Sequence, residues 1–351
     1  MKIAILLCAQ PRFLNLTYKR IKEEFNFPNA QVDFFIHFWN IIGFSPACEK
    51  LERQITDDNL EEYIKYLNPK KYKIEDYSEL NDLTFLLKNT HDFLFSEWQP
   101  GDNTKIHKKL TLRNIHNKNR YQYGQWFSQK KAYLLMEEYE QENNFKYDIV
   151  IKTKSDYIYS DKGDKYWRKR DKCINYIIPY DKLNTRFAFV TNLKIRRYNH
   201  ETGMYKVDGL REYIPDVTLK RDNIYENIRY DDMTMSATRS AAYFFYNTWI
   251  ETYLRTLIFD KVNKLQLKFR TNTSQDVIVG HTAIYNNIYL VNTKRRYIRL
   301  YFRDKCKAAW MTNKKSNNID VTGLNHYSDL DYSMNHYDYS KSYLTPTAGV
   351  Q

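Results

Sequence analysis

The sequence predicts an α/β protein with a mostly parallel central sheet flanked by helices, and its first third carries most of the evidence. Residues 2–8 and 32–36 are apolar runs of strand length, and residues 13–25 between them have the apolar spacing of a helix. A third buried strand begins the segment 147–157, directly after a long helical pattern. Since parallel strands are joined by crossovers that usually contain a helix, this order indicates parallel pairing.

The elements between these strands follow from shorter patterns. Residues 59–67 predict a helix and residues 72–74 a short strand, whereas the polar residues 76–120 predict loops with short helices. A broad apolar face predicts a long helix over residues 121–143. The chain as a whole then reads as alternating strands and helices, which is the order of an α/β sheet.

The second half predicts short strands followed by two helices. The strands are expected at residues 174–178 and 187–190, and the helices at residues 239–257 and 274–286, with Ser274 as the N-cap of the second helix. From residue 311 the sequence turns polar and loses periodicity, which predicts a C-terminal tail that is either disordered or wrapped on the domain.

Composition narrows the function classes without choosing among them. The formal charge is +13, which fits a solvated basic surface or a polyanionic partner such as nucleic acid, an anionic membrane face or a phosphorylated substrate. The four cysteines show no C-x-x-C spacing, so we expect a reducing compartment and no disulfide framework. The sequence contains no apolar run of membrane-spanning length and no signal-peptide pattern.

Several common catalytic motifs do not occur in the sequence. It contains no G-x-G-x-x-G after a strand and no G-x-x-x-x-G-K-[ST], which argues against a dinucleotide-binding Rossmann site and a P-loop. It also contains no H-E-x-x-H, no G-x-S-x-G and no zinc-spaced set of cysteines and histidines.

Charged residues follow the third predicted parallel strand. Because strand side chains alternate, Lys152, Lys154 and Asp156 leave on one face while Thr153 and Ser155 leave on the other. Cations beside a carboxylate at a strand end are suited to holding a diphosphate, with or without a metal ion. The structural alternative is a pair of solvated lysines beside an aspartate that caps a turn.

Three blocks of the sequence together resemble a known enzyme family. Residues 3–12 (IAILLCAQPR), 32–39 (VDFFIHFW) and 147–157 (YDIVIKTKSDY) are similar to the signature blocks of glycosyltransferases from bacterial surface-polysaccharide loci and giant viruses, which have a GT-A-like nucleotide-sugar-binding fold. In that family the third block closes in Arg-x-Arg-x-Asp, and here Lys152 and Lys154 replace both arginines.

The resemblance implies a domain organisation and an activity. Residues 1–310 would form one GT-A-like domain, with a nucleotide-sugar half over about 1–160 and an acceptor half over about 160–310, and residues 311–351 the tail. The implied reaction transfers a sugar from a nucleoside-diphosphate sugar to a hydroxyl of a glycan acceptor, and no nucleic-acid partner is expected. The expected location is the cytoplasm, or the host-cell cytoplasm for a viral protein, with peripheral membrane contact left open.

The donor-binding residues are expected at strand ends and at a helix start. Gln10 and Arg12 follow the first strand, where a turn faces the ligand crevice of an open sheet, and they could reach the nucleotide and a phosphate. His37 ends the second strand and could contact ribose or instead be a satisfied core residue. Gln125 and Ser128 lie near the expected start of the long helix, which suits an anion, although capping and packing explain them as well.

The carboxylates are candidates for metal binding and for catalysis. The resemblance gives Asp156 the place of a Mn²⁺ or Mg²⁺ ligand that bridges the donor phosphates, but Lys154 stands where the usual Asp-x-Asp has its first acid. The metal is therefore optional, and Lys154 could itself neutralise the diphosphate. Asp231, Asp232 and Asp276 are candidates for the base that accepts the proton of the acceptor hydroxyl.

The sequence also allows two other functions, and two of its charged segments are not assigned to a site. The alternatives are a non-enzymatic nucleic-acid-binding protein, suggested by charge and aromatic content, and a degenerate GT-A fold that binds glycans without turnover. The literal Asp-x-Asp at residues 329–331 lies in the polar tail and is treated as a decoy. The basic run at residues 294–296 is interpreted as a surface feature.

Overall fold

The structure is a computed structural model of the chain, and it describes most of the central sheet and its helices. The described residues are 1–12, 14–42, 53–54, 60–82, 86–87, 89–90, 112–159, 178–199, 205–209, 211–215, 224–262, 275–293, 297–303, 307–310 and 318–320. The predicted strand at 174–178, apart from its last residue, lies outside these ranges, as do Ser274, the Asp-x-Asp at 329–331 and the basic run at 294–296.

The first half of the chain supplies the strands and helices around the predicted donor site. In chain order its elements are β1 (Lys2–Ala9), α1 (Leu14–Glu24), β2 (Gln31–Trp39), β3 (Ile41–Ile42), β4 (Arg53–Gln54), α2 (Leu60–Leu67), β5 (Lys71–Glu75), a 3₁₀ turn (Tyr77–Glu79), α3 (Leu112–Glu142), β6 (Ile149–Thr153) and β7 (Tyr157–Tyr159).

The second half completes the sheet and adds three helices. Its elements are a 3₁₀ turn (Tyr180–Lys182), β8 (Phe187–Asn199), β9 (Tyr205–Gly209), β10 (Glu212–Tyr213), β11 (Ile224–Thr238), α4 (Arg239–Asn247), α5 (Trp249–Val262), α6 (Gln275–Tyr285), β12 (Tyr289–Thr293), β13 (Tyr297–Arg303), β14 (Lys307–Trp310) and β15 (Asn318–Asp320).

The main sheet is mixed and has the order β10-β12-β8-β11-β6-β1-β2-β5, with β9 paired on β8. Six of these nine strands (β1, β2, β5, β6, β8 and β12) run in one direction, and β9, β10 and β11 run in the other. Helices cover the sheet, so the predicted α/β class with a mostly parallel, helix-flanked sheet is confirmed.

The strand order reverses at β1. The chain proceeds from β1 to β2 and β5 on one side, then returns to place β6 on the other side of β1. In open α/β sheets ligands bind outside the carboxyl ends of the strands at such a reversal, because the two connections leave in opposite directions and open a crevice. The topology therefore indicates that a ligand would bind beside the loops that follow β1 and β6.

Two apolar layers sandwich the parallel strands. Leu6 and Cys8 of β1 pack in a fully buried cluster with Ala132 and Met136 of α3. The alternate β1 residues Ile3, Ile5 and Leu7 pack on the other face with residues of α1 and α2 that include Leu14, Ile21, Ile64 and Leu67. Burial of each such side chain contributes about 1.5–3 kcal/mol, so α3 and α1 are fixed on opposite faces of β1.

The long helix and the 239–257 region differ from the sequence prediction. Helix α3 begins at Leu112, inside a stretch predicted to be irregular. The single helix expected at 239–257 is two helices, α4 and α5, which meet at Thr248. The Thr248 hydroxyl donates to the carbonyl of Phe244 (2.9 Å) at this point, although Thr256 and Thr282 make the same kind of bond inside continuous helices.

The C-terminal region forms a second sheet beside the first. Strands β15, β14, β13 and β7 pair in that order, and β15 lies within the segment predicted to be a polar tail. The expected boundary at residue 311 therefore falls between two paired strands. In the part of the chain that the structure describes, no helix has the length and apolar character needed to cross a membrane.

Candidate functional site

The loops after β1 and β6 are joined directly at the strand-order reversal. The Ser155 hydroxyl donates to the backbone carbonyl of Gln10 (2.9 Å), and the Thr17 hydroxyl of α1 donates to the backbone carbonyl of Ser155 (2.8 Å). The Cys8 thiol lies 3.8 Å from the carbonyl of Thr153. These contacts link residues about 145 positions apart, so the sequence pattern around each strand end cannot show them separately.

Charged side chains converge at the same point. The Arg12 guanidinium donates from Nε to the side-chain oxygen of Gln10 (2.7 Å), and its Nη1 lies 3.9 Å from Oδ2 of Asp156. Asp156 and Lys154 are buried, with 5% and 7% of their surface exposed. The alternative of solvated surface lysines is therefore wrong, and the structure brings Gln10, Arg12 and Asp156 together, with Lys154 buried two residues before Asp156.

Lys152 lies deeper, inside the strand itself. Its cross-strand partners are Leu6 on β1 and Met235 on β11, and both of these side chains belong to the apolar cluster under α3. Only 3% of Lys152 is exposed. Its positive charge therefore lies inside the sheet, two residues before Lys154.

A polar network beside these loops starts at the last residue of β1. The backbone N–H of Ala9 donates to Oγ of Ser128 (2.6 Å), and Ser128 Oγ lies 2.9 Å from Nδ1 of His37. The other ring nitrogen, Nε2, lies 2.9 Å from a carboxylate oxygen of Glu75, which also accepts from Lys131 (3.1 Å) and contacts Lys73. Helix α3 and strands β1, β2 and β5 thus meet through a polar network in which the side chains of Ser128, His37 and Glu75 are buried.

The protonation of this network follows from its surroundings. Burial lowers the pKa of His37 below its usual value, although hydrogen bonding to Glu75 opposes the shift. The hydrogen bonds from His37, Lys73 and Lys131 hold the pKa of Glu75 well below its usual range. A neutral His37 can donate from Nε2 to the Glu75 carboxylate, while the Ser128 hydroxyl donates to the backbone carbonyl of His37 (2.9 Å) and lies 2.9 Å from Nδ1.

Three expectations about donor contacts need correction. His37 is fully buried with both ring nitrogens engaged, so its geometry does not support contact with ribose. Ser128 is also fully buried and bonds to Ala9 and His37. Gln125 and Ser128 do not lie at a helix N-terminus, because α3 begins at Leu112, several turns earlier.

Sequence reasoning missed the two residues that complete this network. Glu75 ends β5 at the same edge of the sheet as Trp39, two residues after His37, ends β2, and Lys131 lies one turn along α3 from Ser128. A signal existed for Glu75, because it directly follows the strand predicted at residues 72–74. No signal existed for Lys131, since its role depends on the packing of α3 against β5.

The candidate bases lie at the same end of the sheet by backbone position. Strand β11 runs antiparallel to β6 and pairs Met235 with Lys152, so Asp231 and Asp232 precede this pair toward the carboxyl end of β6. Asp231 is in register with Thr191, between two irregularities in the β8–β11 ladder. Asp276 occupies the first turn of α6, a helix that packs on β11.

The donor set around Asp156 is that of an anion site. Asp156 is paired with Arg12, and two buried lysines, Lys152 and Lys154, precede it in the sequence. A divalent cation requires several oxygen ligands and is repelled by such neighbours. The described side chains therefore do not fit the expected Mn²⁺ or Mg²⁺ site at Asp156, and we derive no step through a metal.

Comparison with known proteins does not place the chain in a class. No protein-family model matches the sequence, and no curated protein is significantly similar to it.

Proposed function

We propose that this protein is a nucleotide-sugar-dependent glycosyltransferase with a GT-A-like fold. The observation that carries the proposal is the hydrogen bond from Ser155 to Gln10, which joins the loops after β1 and β6, with Arg12 beside Asp156 and the buried Lys154 next to Ser155 in the sequence. It lies at the strand-order reversal of an α/β sheet, where nucleotide ligands bind in other open sheets. The sequence resemblance described above points to the same class.

The charge of the site suits a diphosphate leaving group. Breaking the bond between the anomeric carbon and the diphosphate places additional negative charge on the leaving oxygen. Fixed cations stabilise this charge more in the transition state than in the ground state, particularly where water is excluded. Lys154 has 7% exposure and Lys152 has 3%, so both act in a poorly solvated environment. As lysines they supply point charges rather than the bidentate contact of arginine.

The loop after β1 faces the nucleotide in this proposal. Gln10 and Arg12 share a hydrogen bond (2.7 Å) and are both only partly buried, so they present a polar edge to the crevice. Arg12 also orients Asp156 across the crevice. Asp156 then holds a hydroxyl of the donor sugar, a role that uses its carboxylate as an acceptor.

The acceptor hydroxyl approaches from the β11 side. In a direct displacement its oxygen bonds to the anomeric carbon, the bond from that carbon to the diphosphate breaks, and the nucleoside diphosphate departs with the bonding electrons. The hydroxyl proton passes to a carboxylate. The candidates are Asp231, Asp232 and Asp276. Strand β11 runs antiparallel to β6, so the backbone of Asp231 and Asp232 lies toward the carboxyl end of β6, and Asp276 lies in the first turn of α6.

Ligand-dependent thermal stability tests the proposal. Uridine, guanosine and cytidine nucleotides, with and without Mn²⁺, are added to the wild type, Arg12→Ala and Lys154→Met. Lys65→Met is the matched control, since Lys65 is a 72%-exposed lysine on α2. A ligand at one hundred times its Kd stabilises the folded state by about 2.7 kcal/mol. We expect one nucleoside diphosphate to raise Tm in the wild type and control but not in the two site variants.

Two outcomes would contradict the proposal. One is that no nucleotide stabilises the wild type, and the other is that Lys65→Met loses stabilisation as fully as Lys154→Met. Tight, strongly salt-dependent binding of RNA or DNA at physiological salt would instead support a nucleic-acid-binding protein. Nucleotide binding without hydrolysis or transfer of any nucleotide sugar would support a glycan-binding protein that has lost turnover.

A further inference from the structure

We infer that Ser128, His37 and Glu75 form a positioning relay that holds Ala9 in a left-handed backbone conformation and thereby sets Arg12 against Asp156. The inference rests on the proposed function, because it concerns the geometry of the same diphosphate site. None of the three relay residues is assigned a direct contact with a ligand.

The conformation of Ala9 is unusual and needs an external support. Its φ is 96°, in a region that alanine rarely adopts because its Cβ crowds the backbone. Ala9 is also the last residue of β1, where the chain leaves the sheet and enters the loop. Such conformations persist when the surroundings hold them in place, and they are concentrated at functional sites.

Ser128 supplies that support from the long helix. Its Oγ accepts the Ala9 N–H at 2.6 Å and lies 2.9 Å from both Nδ1 and the backbone carbonyl of His37. Since Ser128 has 0% exposure, water does not replace its hydroxyl. The Ala9 N–H therefore has an acceptor whose own orientation is fixed by His37.

His37 and Glu75 fix the serine in turn. His37 pairs with Cys8 in the β1–β2 ladder, one residue before Ala9, so its ring lies beside the end of β1. Glu75 binds the far side of the ring at 2.9 Å and is itself held by Lys131 at 3.1 Å. The relay thus runs across three neighbouring strands at their carboxyl ends.

The consequence for the site follows from chain continuity. The residue after Ala9 is Gln10, whose carbonyl accepts from Ser155 and whose side chain accepts from Arg12. If Ala9 relaxed to an ordinary extended conformation, Gln10 would swing away from Ser155. Arg12 would then lose its place 3.9 Å from Asp156. The relay therefore controls the position of the Arg12 guanidinium, in the loop after β1, relative to Asp156, in the loop after β6.

The Ala9→Gly substitution tests whether Ser128 acts by positioning Ala9 or by contacting the ligand itself. Glycine adopts positive φ without the steric penalty, so Ala9→Gly removes the need for support. We expect Ser128→Ala to weaken binding of UDP, GDP and inorganic pyrophosphate, measured by calorimetry, by about tenfold, which corresponds to ~1.4 kcal/mol. The double variant Ala9→Gly/Ser128→Ala is expected to recover affinity to within about threefold of wild type.

The matched control removes a buried hydroxyl at the opposite end of the sheet. Thr238 has 0% exposure and pairs with Ile149 at the start of β6, and Thr238→Val deletes its hydroxyl at nearly constant shape. We expect this variant to lose stability but keep its affinity for the same probes. An equal loss of affinity in the control would assign the effect of Ser128→Ala to general destabilisation and overturn the inference.

Hydrogen exchange of the ligand-free protein tests the relay separately from the proposed function. We expect Ser128→Ala to speed amide exchange at residues 9, 10 and 12, and Ala9→Gly to reverse part of that increase. His37→Gln is the second variant if Ser128→Ala does not fold, and it is expected to act in the same direction. Unchanged exchange in the folded variants would overturn the relay. The protein could show faster exchange in Ser128→Ala, partly reversed by Ala9→Gly, and yet bind none of the probes. That result would support the relay and contradict the proposed function.

Discussion

Replacement of Gly124 by alanine is expected to destabilise the protein although alanine is the better helix former. Gly124 lies in α3 opposite the 3₁₀ turn Tyr77–Glu79. A Cβ at this position would lie 2.8 Å from Cε2 and 2.9 Å from the hydroxyl of Tyr77, and 3.1 Å from Cδ1 of Leu80. Tyr77 is 3% exposed and Leu80 is fully buried, so neither can move cheaply.

The size of the effect follows from two opposing contributions. Carbon atoms in contact prefer separations of about 3.5–4.0 Å, so the new methyl overlaps the Tyr77 ring by more than half an ångström. Overpacking of this kind costs about 1–3 kcal/mol, whereas glycine to alanine in a helix interior gains about 1 kcal/mol. We expect a net loss of about 1 kcal/mol in the free energy of unfolding.

Gly209 provides the matched control. A Cβ built on this residue at the end of β9 meets nothing within 4 Å. Gly209→Ala is therefore expected to be neutral or to gain about 0.5 kcal/mol. Urea unfolding of both variants, followed by tryptophan fluorescence, measures the difference. The reasoning is refuted if Gly124→Ala is as stable as Gly209→Ala.

The same substitution has a local consequence that fluorescence can detect. The carbonyl of Gly124 accepts from the indole N–H of Trp39 (2.8 Å), and the Trp39 ring meets the His37 ring edge-on at 4.9 Å between centroids. Displacement of α3 at Gly124 would shift Trp39 and with it the polar network. We therefore expect a change in tryptophan emission from the folded variant before any denaturant is added.

Three further predictions concern charged groups. The pKa values of His37 and Glu75 are both lowered in the folded protein, so the unfolded chain binds more protons and stability falls as pH drops below about 6.5. His37→Gln is expected to flatten the slope of unfolding free energy between pH 7 and 5, where one proton contributes at most about 1.4 kcal/mol per pH unit. Arg239→Met leaves the buried Glu140 carboxylate without its 2.7 Å partner, so the free energy of unfolding in urea is expected to fall by about 3–5 kcal/mol. An unchanged free energy of unfolding would show that the pair does not stabilise the fold. Asp156→Asn removes the carboxylate that lies beside Arg12, so calorimetry is expected to show tighter pyrophosphate binding at low salt while sugar transfer falls at least tenfold.

The elements predicted best from sequence are those whose patterns are local. Residues 2–8 and 13–25 correspond closely to β1 (Lys2–Ala9) and α1 (Leu14–Glu24), because continuous and periodic apolar runs report burial directly. The start of α3 was missed by nine residues, since residues 112–120 are mostly polar. The break at Thr248 was missed because no glycine or proline marks it in the sequence.

The candidate site divides in the same way. Gln10, Arg12, Lys154 and Asp156 were predicted because each follows a parallel strand, and topology brings such residues together. The link between Ser128 and His37 joins residues 91 positions apart and depends on the packing of α3, which no local pattern encodes. Their predicted role as ligand contacts was therefore replaced by a role within the fold.

Helix α3 makes polar contacts at both ends of the sheet, and this affects how the protein unfolds. At one end of the sheet its Ser128 binds the last residue of β1, and at the other end its Glu140 binds the guanidinium of Arg239 and the backbone N–H of Tyr147. Detachment of this one helix would break the polar anchors at both ends simultaneously. We therefore expect β1, β2, β6 and α3 to open as a single cooperative block, with no partly folded state in which only one end has loosened.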